Sequence, residues 1–302
     1  MILFFLACSD SDVKDDTAQS IDDTVQEDDV PSSGCGLEPM HSLDGTQVQL
    51  SIDGVERSFY LSIPLDYNPN EAYSLVFGFS GTDWVGSQIQ GYLDLEQYGT
   101  KSIFVYPDPL WRDFEGWGTY GGWLLGPYAY PAHGSEDLNF VETLLDTLPS
   151  QYCIDEERVF ATGHSWGGDM AQVVSCFLGD RFTATVPVAA NRPYWFEDDQ
   201  GFPITCSGDT AVWTMFGEAD DHFTWQGYPG EFGDECRDFW LEDRNCSTQA
   251  TEFYLGNDVC YAYTDCDVEV RYCLYDEQYA HQIPWDSFSQ ATMEWFDSFS
   301  QQ

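Results

Sequence analysis

The pattern of apolar and polar positions along the chain predicts a pair of strands near the start of the folded region. Further strands follow, with helices between the later ones. Segments 47–52 and 57–63 flank the turn Asp53-Gly54, which indicates a β-hairpin. Short, nearly continuous apolar runs come next, as is typical of strands buried on both faces of a parallel sheet. The buried strands predicted in this way are 74–79, 102–106 and 158–162, followed by shorter strands at 185–188, 211–216 and 268–272.

Helical periodicity appears between these strands. Segment 136–148 places apolar residues three and four positions apart, and segment 169–177 has the same pattern. Strands that alternate with helices indicate an α/β protein with a mostly parallel central sheet. We therefore expect helices on both faces of that sheet and an antiparallel hairpin at its N-terminal end.

The strongest motif is Gly-x-Ser-x-Gly, with Gly163, Ser165 and Gly167 at its fixed positions. It follows the predicted strand 158–162 directly and precedes the predicted helix 169–177, which is the context of the nucleophile elbow in the α/β-hydrolase fold. Glycine neighbours leave room for a sharp strand-to-helix turn, and the helix N-terminus offers free N–H groups to an oxyanion. The sequence therefore predicts this fold, with Ser165 as the nucleophile.

A serine nucleophile needs a base and an acid, which follow it along the chain in this fold. Of the two histidines after the motif, His281 is favoured because it lies in a loop beyond the last predicted strand. His222 is the alternative, but it falls next to the acidic segment. Asp220 is the preferred acid, since it follows a strand end, with Asp221 second and Glu218 third. Such a carboxylate would fix the imidazole tautomer that accepts the serine proton.

Two further groups of residues are predicted at the site. The backbone N–H groups of Thr82, in the loop after an early strand, and of Trp166, directly after the serine, are the expected oxyanion donors. The aromatic-rich segment 109–131 is interpreted as one wall of a substrate cleft, or alternatively as a loop packed by its own aromatic rings. The predicted substrate-binding side chains are Trp84, Trp117, Trp123 and Trp166.

Composition narrows the class of protein further. The formal net charge is −43, from 53 acidic and 10 basic residues, which argues against nucleic-acid binding because phosphate is neutralised by Lys and Arg. With 43% hydrophobic residues the chain can form one sizeable core. No loop has the EF-hand pattern and no cysteine pair has zinc-finger spacing, so we expect neither a metal nor a cofactor.

The N-terminal region differs in composition from the rest. Residues 1–8 resemble the end of an export signal with a bacterial lipobox, in which Cys8 would be lipidated; plain secretion, or an apolar stretch without a signal role, is the alternative. Residues 9–34 contain nine acidic residues and no aromatic one, which predicts a disordered linker. Residues 35–302 are interpreted as one domain. We expect an extracellular or cell-surface lipoprotein of a bacterial envelope, associated with the membrane only through that anchor.

Cysteine content supports export. Ten cysteines occur, and nine remain once Cys8 is set aside, a density that suits an oxidising compartment. The simplest arrangement is four disulfides and one free thiol, with the pairing left open.

In combination, these motifs resemble the secreted feruloyl esterases and the related polyhydroxybutyrate-depolymerase-like enzymes of the carbohydrate esterase family 1 type. The resemblance covers most of 35–302 and rests on the order of several short segments. These are Ser33-Gly34-Cys35-Gly36, 73–81, 152–155 leading into 158–168, Cys176, Cys206, Phe216-Gly217 before Asp220, Trp240 with Asn245-Cys246, and Tyr272-Cys273 before His281.

The resemblance implies that Ser165, Asp220 and His281 form the catalytic triad and that the matching cysteines are disulfide-bonded. The implied function is hydrolysis of feruloyl or acetyl esters on plant cell-wall polysaccharide, by a monomer. A polyester depolymerase and a catalytically inert carbohydrate-binding surface protein are the alternatives. The chain departs from the family pattern at Ser80, where a histidine is usual, and in the additional cysteines Cys260 and Cys266.

Overall fold

The computed structural model describes residues 32–193, 196–198, 200–202, 204–222 and 227–299. The predicted export segment 1–8, its lipidation site Cys8 and nearly all of the predicted linker lie outside the described residues. Ser32, near the end of that linker, is buried. Its hydroxyl donates to the carbonyl oxygen of Tyr152 at 3.0 Å and accepts from the N–H of Ile154 at 2.9 Å.

Twelve strands occur in the described residues, ten of them in one sheet. The sheet strands are β1 (Thr46–Ile52), β2 (Val55–Ser62), β3 (Tyr73–Phe79), β4 (Ser102–Pro107), β7 (Ile154–His164), β8 (Ala184–Val188), β9 (Ala211–Gly217), β10 (Ala250–Leu255), β11 (Asp258–Tyr263) and β12 (Val270–Tyr275). Strands β5 (Leu110–Phe114) and β6 (Gly118–Gly122) form a separate antiparallel hairpin.

The sheet order is β1-β2-β4-β3-β7-β8-β9-β12-β11-β10. All neighbouring pairs from β4 to β12 are parallel, while β1 and β2 at one end and β11 and β10 at the other are antiparallel. The predicted mostly parallel sheet with an N-terminal hairpin is therefore confirmed. Every residue of β3, β4, β8 and β9 is buried, because both faces of the sheet centre are covered.

Helices cover both faces, as predicted. They are α1 (Gly86–Leu93), α2 (Glu136–Thr147), α3 (Trp166–Phe177), α4 (Glu231–Asp243) and α5 (Phe288–Asp297). Buried apolar side chains of α2 and α3, together with Trp240 of α4, belong to one hydrophobic core, and those of α1 and α5 belong to the other. Alternate residues of β3 supply the two cores: Phe77 points into the first and Val76 into the second.

Four disulfides join eight of the described cysteines, which confirms the expected count. The pairs are Cys35–Cys153, Cys176–Cys206, Cys246–Cys266 and Cys260–Cys273. The additional cysteines Cys260 and Cys266 are thus paired with Cys273 and Cys246. Cys236 is the free thiol of this part of the chain; it is buried, and burial raises the pKa of its thiol. In the same part of the chain, no helix is both long enough and apolar enough to cross a membrane.

Candidate active site

Ser165 lies at the junction of β7 and α3 in a conformation that only tight packing can hold. Its φ and ψ are 59° and −125°, outside the regions favoured by residues with a side chain. The two motif glycines allow this turn. A Cβ on Gly163 would lie 2.1 Å from the carbonyl oxygen of Gly167, and one on Gly167 would lie 2.1 Å from that of Phe79. Helix α3 therefore begins in direct contact with the end of β3.

His281 connects Ser165 to Asp220 through hydrogen bonds. Its Nε2 lies 2.9 Å from the Ser165 hydroxyl oxygen, and its Nδ1 lies 2.6 Å from Oδ2 of Asp220. His281 is 61 residues from Asp220 and 116 residues from Ser165 along the chain. They meet because β7, β9 and β12 are parallel, so the loops that follow these strands emerge at the same edge of the sheet.

The alternative acid, Asp221, and the alternative base, His222, are placed differently from Asp220 and His281. Asp220 is fully buried, and its Oδ1 accepts the N–H of His222 at 2.9 Å. Asp221 is exposed and contacts His222 rather than His281; this hydrogen bond lowers the pKa of the Asp221 carboxyl. The His222 ring stacks on the His281 ring with centroids 4.0 Å apart. His222 thus covers one face of the His281 ring.

A metal ion could in principle approach this cluster. Ligand atoms of Asp220, His222 and His281 all lie within 4.8 Å of one another. Both ring nitrogens of His281 already have hydrogen-bond partners, so a metal would have to displace Asp220 or Ser165. The arrangement as it stands suits acid–base chemistry, in which Nε2 of His281 takes the Ser165 proton and Asp220 orients the ring.

At both predicted oxyanion positions, Thr82 and Trp166, the backbone lies next to Ser165. Trp166 is the first residue of α3, and N–H groups in the first turn of a helix have no acceptor within the helix. On the other side, a Cβ on Gly81 would lie 3.2 Å from Cβ of Ser165, so the Gly81–Thr82 peptide passes beside the nucleophile. Ser80, where the family usually has histidine, is buried and donates its hydroxyl to the carbonyl oxygen of Trp84 at 2.8 Å.

A cavity of about 520 Å³ opens over the serine. Its walls are rich in aromatic and imidazole rings, including an edge-on contact between Trp84 and Tyr92 with centroids 5.3 Å apart. The lining residues are Gly81, Thr82, Trp84, Tyr92, His164, Ser165, Asp221, His222, Ala280, His281 and Gln282.

The four predicted substrate-binding tryptophans occupy different environments. Trp84 lines the cavity, and Trp117 is exposed and meets the Trp166 ring edge-on at 5.9 Å. Trp166 is itself buried. Trp123 requires a correction: it is completely buried, and its indole N–H donates to the carbonyl oxygen of Ser80 at 2.8 Å. Trp123 therefore supports the loop after β3 and has no surface that could contact a substrate.

Segment 109–131 contains the β5–β6 hairpin, which a buried ionic cluster holds beside the site. Asp137 is fully buried between Arg57 at 2.8 Å and Arg112 at 3.0 Å, and it also accepts the N–H of Leu124. Arg112 additionally donates to the carbonyl oxygen of Gly122 in β6. This cluster was not predicted from the sequence, because nothing local in the sequence indicates that these charges meet.

His164 is a further residue of the site for which no role was predicted from the sequence. Its Nε2 lies 2.5 Å from the carbonyl oxygen of His281. Burial, together with the neighbouring His281, lowers the pKa of the His164 imidazole to about 3. Its position directly before the nucleophile is the feature of the sequence that could have identified it.

Sequence comparison connects the chain with feruloyl esterases. Over 163 residues it is 31% identical to a probable feruloyl esterase C of Aspergillus clavatus, an alignment covering 51% of each chain. Over 175 residues it is 29% identical to feruloyl esterase D of Neurospora crassa, covering 53% of each. The chain thus spans about half the length of the curated relatives it matches. No protein-family model matches it.

Structural comparison extends over more of the chain. An acetyl xylan esterase from Aspergillus awamori matches with a TM-score of 0.61 at 16% identity, over 83% of this chain and 98% of that one. An S-formylglutathione hydrolase from Agrobacterium tumefaciens matches with a TM-score of 0.57 at 14% identity, over 87% and 98%. Structural similarity at such low sequence identity shows only that the fold is shared. The predicted resemblance is confirmed: the chain has the α/β-hydrolase fold and is similar in sequence to feruloyl esterases over about half its length.

Proposed function

We propose that this protein is a serine esterase that hydrolyses carboxylic esters through an acyl-enzyme. The observation that carries the proposal is the hydrogen-bonded series Asp220–His281–Ser165 at the floor of an open cavity. The similarity to proteins named feruloyl esterases supports the same reaction class.

In the proposed mechanism, the Ser165 hydroxyl attacks the ester carbonyl while Nε2 of His281 accepts its proton. The negative oxygen of the tetrahedral intermediate would be bound by the N–H groups of Thr82 and Trp166. His281 then protonates the leaving alcohol, and water repeats the sequence to release the acid. Asp220 holds the imidazole in the tautomer that keeps Nε2 free to accept a proton.

For the substrate, we propose a feruloyl ester of plant cell-wall polysaccharide, with an acetyl ester second. A cavity of about 520 Å³ bordered by Trp84 and Tyr92 exceeds what an acetyl group would fill, and flat aromatic walls suit an aromatic acyl group. The exposed rings of Trp111 and Trp117, on and beside the hairpin strands, could contact the polysaccharide. We also propose an extracellular location, which the four disulfides support because disulfides persist in oxidising compartments.

The test is a comparison of initial rates on methyl ferulate, acetylated xylan, short p-nitrophenyl esters and polyhydroxybutyrate, for the wild-type protein and Ser165→Ala. We expect methyl ferulate to be the preferred substrate and the variant to be slower by about 10⁴–10⁶-fold. A variant that keeps a substantial fraction of the rate would refute the nucleophile assignment. Preference for polyhydroxybutyrate would make the protein a polyester depolymerase, and xylan binding without any hydrolysis would make it an inert binding protein.

A further inference from the structure

The loop that carries His281 is held by side chains from three different elements. These side chains make hydrogen bonds to the backbone of three consecutive residues of the loop, 281–283. His164, at the end of β7, contacts the carbonyl oxygen of His281 at 2.5 Å. Tyr275, at the end of β12, donates to the carbonyl oxygen of Gln282 at 2.7 Å, and the N–H of Ile283 donates to the hydroxyl of Tyr92 in α1 at 3.0 Å.

The direction of the His164 hydrogen bond follows from its partner. A carbonyl oxygen can only accept, so Nε2 of His164 must carry the proton. The imidazole is neutral at neutral pH, since its pKa is lowered to about 3. The His164 ring lies between those of Tyr92 and His281, with centroid distances of 5.1 Å and 5.0 Å. The ring that precedes the nucleophile therefore touches the base and holds its backbone.

The two tyrosines keep their hydroxyl protons over a wide pH range. Tyr275 is fully buried, and burial raises its pKa well above the usual value. Burial also raises the pKa of Tyr92. Both hydroxyls therefore stay neutral, and Tyr275 remains a donor to the loop.

The loop needs such support because its backbone is strained. Ala280, directly before His281, has φ 47° and ψ −120°, a region that residues with a side chain rarely adopt. A conformation of this kind persists only where surrounding contacts over-determine it. The end of β9 also approaches the loop closely, since a Cβ on Gly217 would lie 2.1 Å from the carbonyl oxygen of Ala280.

We propose that His164 is a positioning residue, which together with Tyr275 and Tyr92 fixes the loop so that Nε2 of His281 faces Ser165. This rests on the proposed esterase mechanism, in which His281 is the base. His164 has the largest effect of the three because its hydrogen bond is to the His281 residue itself. It makes no proton transfer to substrate; it acts through the base.

The experiment compares variants that keep or remove the His164 donor. His164→Gln retains an N–H group at a similar distance from the backbone, whereas His164→Leu removes it. With p-nitrophenyl acetate we expect His164→Leu to lower kcat roughly 10–100-fold with KM within about twofold, because a misplacement near 1 Å can cost 10²-fold. His164→Gln should recover most of kcat, and Tyr275→Phe should show a smaller loss.

Tyr279→Phe is the matched control. Its hydroxyl also belongs to this loop region but donates to the side chain of Asp286 at 2.8 Å, so its removal should leave kcat unchanged. Equal kcat for His164→Leu and wild type would overturn the proposal, as would a folded His164→Gln that is as slow as His164→Leu. If His164→Leu does not fold, Tyr275→Phe decides, since an undiminished kcat there contradicts a positioning role for the hydroxyl.

A second readout separates this proposal from the proposed function. The Nδ1 proton between His281 and Asp220 should give a low-field proton NMR signal in the wild type and in His164→Gln. The signal should be lost in His164→Leu as the ring becomes mobile. A wild-type protein without esterase activity would refute the proposed function, while this signal would still test the positioning role. An unchanged signal in His164→Leu would refute positioning even if the esterase is active.

Discussion

The nucleophile elbow and the His281 loop each contain a residue in a similar strained backbone conformation, but different contacts stabilise the two segments. Ser165 has φ 59° and ψ −125°, and Ala280, before His281, has φ 47° and ψ −120°. The elbow is held by backbone packing, since glycines at 163 and 167 bring α3 against β3. The loop is held by hydrogen bonds from side chains of α1, β7 and β12.

This difference explains why the elbow is marked by a local sequence motif whereas the contacts that hold the His281 loop are not. An elbow held by backbone packing needs small residues at fixed spacing, and a five-residue motif records that need. A loop held from three distant elements leaves no local pattern. The two halves should therefore also respond differently to mutation.

The largest expected effect comes from removing the base in the loop half. His281→Ala should lower kcat by about 10⁴-fold or more, because no other described group lies between Ser165 and Asp220. His222→Ala, which removes a ring stacked on His281 and no hydrogen bond to Ser165, should cost far less. Initial rates on a p-nitrophenyl ester measure both. If His222→Ala lowered kcat more than His281→Ala, His222 would be the base, and the comparison between the elbow and the His281 loop would not hold.

A second substitution tests the elbow half. Gly167→Ala places a Cβ 2.1 Å from the carbonyl oxygen of Phe79, so backbone must shift and both stability and activity should fall. Overpacking of this kind typically costs about 1–3 kcal/mol. Gly91→Ala in α1 is the control, because nothing lies within 4 Å of its Cβ, and it should stabilise the protein by roughly 0.5–1 kcal/mol. Denaturant unfolding compares the two; similar stabilities would show that backbone packing does not hold the elbow.

Sequence patterns predicted the central sheet well, for a physical reason. Strands such as β3 and β9 are buried on both faces, so their apolar runs are strong signals. The β5–β6 hairpin was not predicted as strands, because its sequence is polar and glycine-rich and its position depends on the buried Asp137 cluster. Helices α1, α4 and α5 were also not predicted.

For the site, chain order together with the predicted strand ends and the family resemblance selected Ser165, Asp220 and His281, which the structure brings together. Which aromatic rings reach the surface could not be predicted from composition. Trp123 and Trp117 lie in the same segment, yet one is buried beneath the loop after β3 and the other is exposed. Only the packing of that segment on Trp166 and the sheet decides between them.

The last expected effect concerns pH and the His164 side chain, which lies at the end of β7 and contacts the His281 loop. The unfolded chain protonates His164 below pH 6.5, whereas in the folded protein burial and His281 lower its pKa to about 3. The unfolded state therefore binds more protons in this window, and stability falls as pH decreases from 6.5, by at most about 1.4 kcal/mol per pH unit. His164→Gln lacks this group, so its free energy of unfolding should fall less steeply between pH 6.5 and 4.5 than that of wild type. Gly91→Ala changes no titratable group and should follow the wild-type slope. Urea unfolding of the three proteins across this range measures the slopes, and parallel curves for His164→Gln and wild type would mean that the imidazole does not stay neutral in the folded protein.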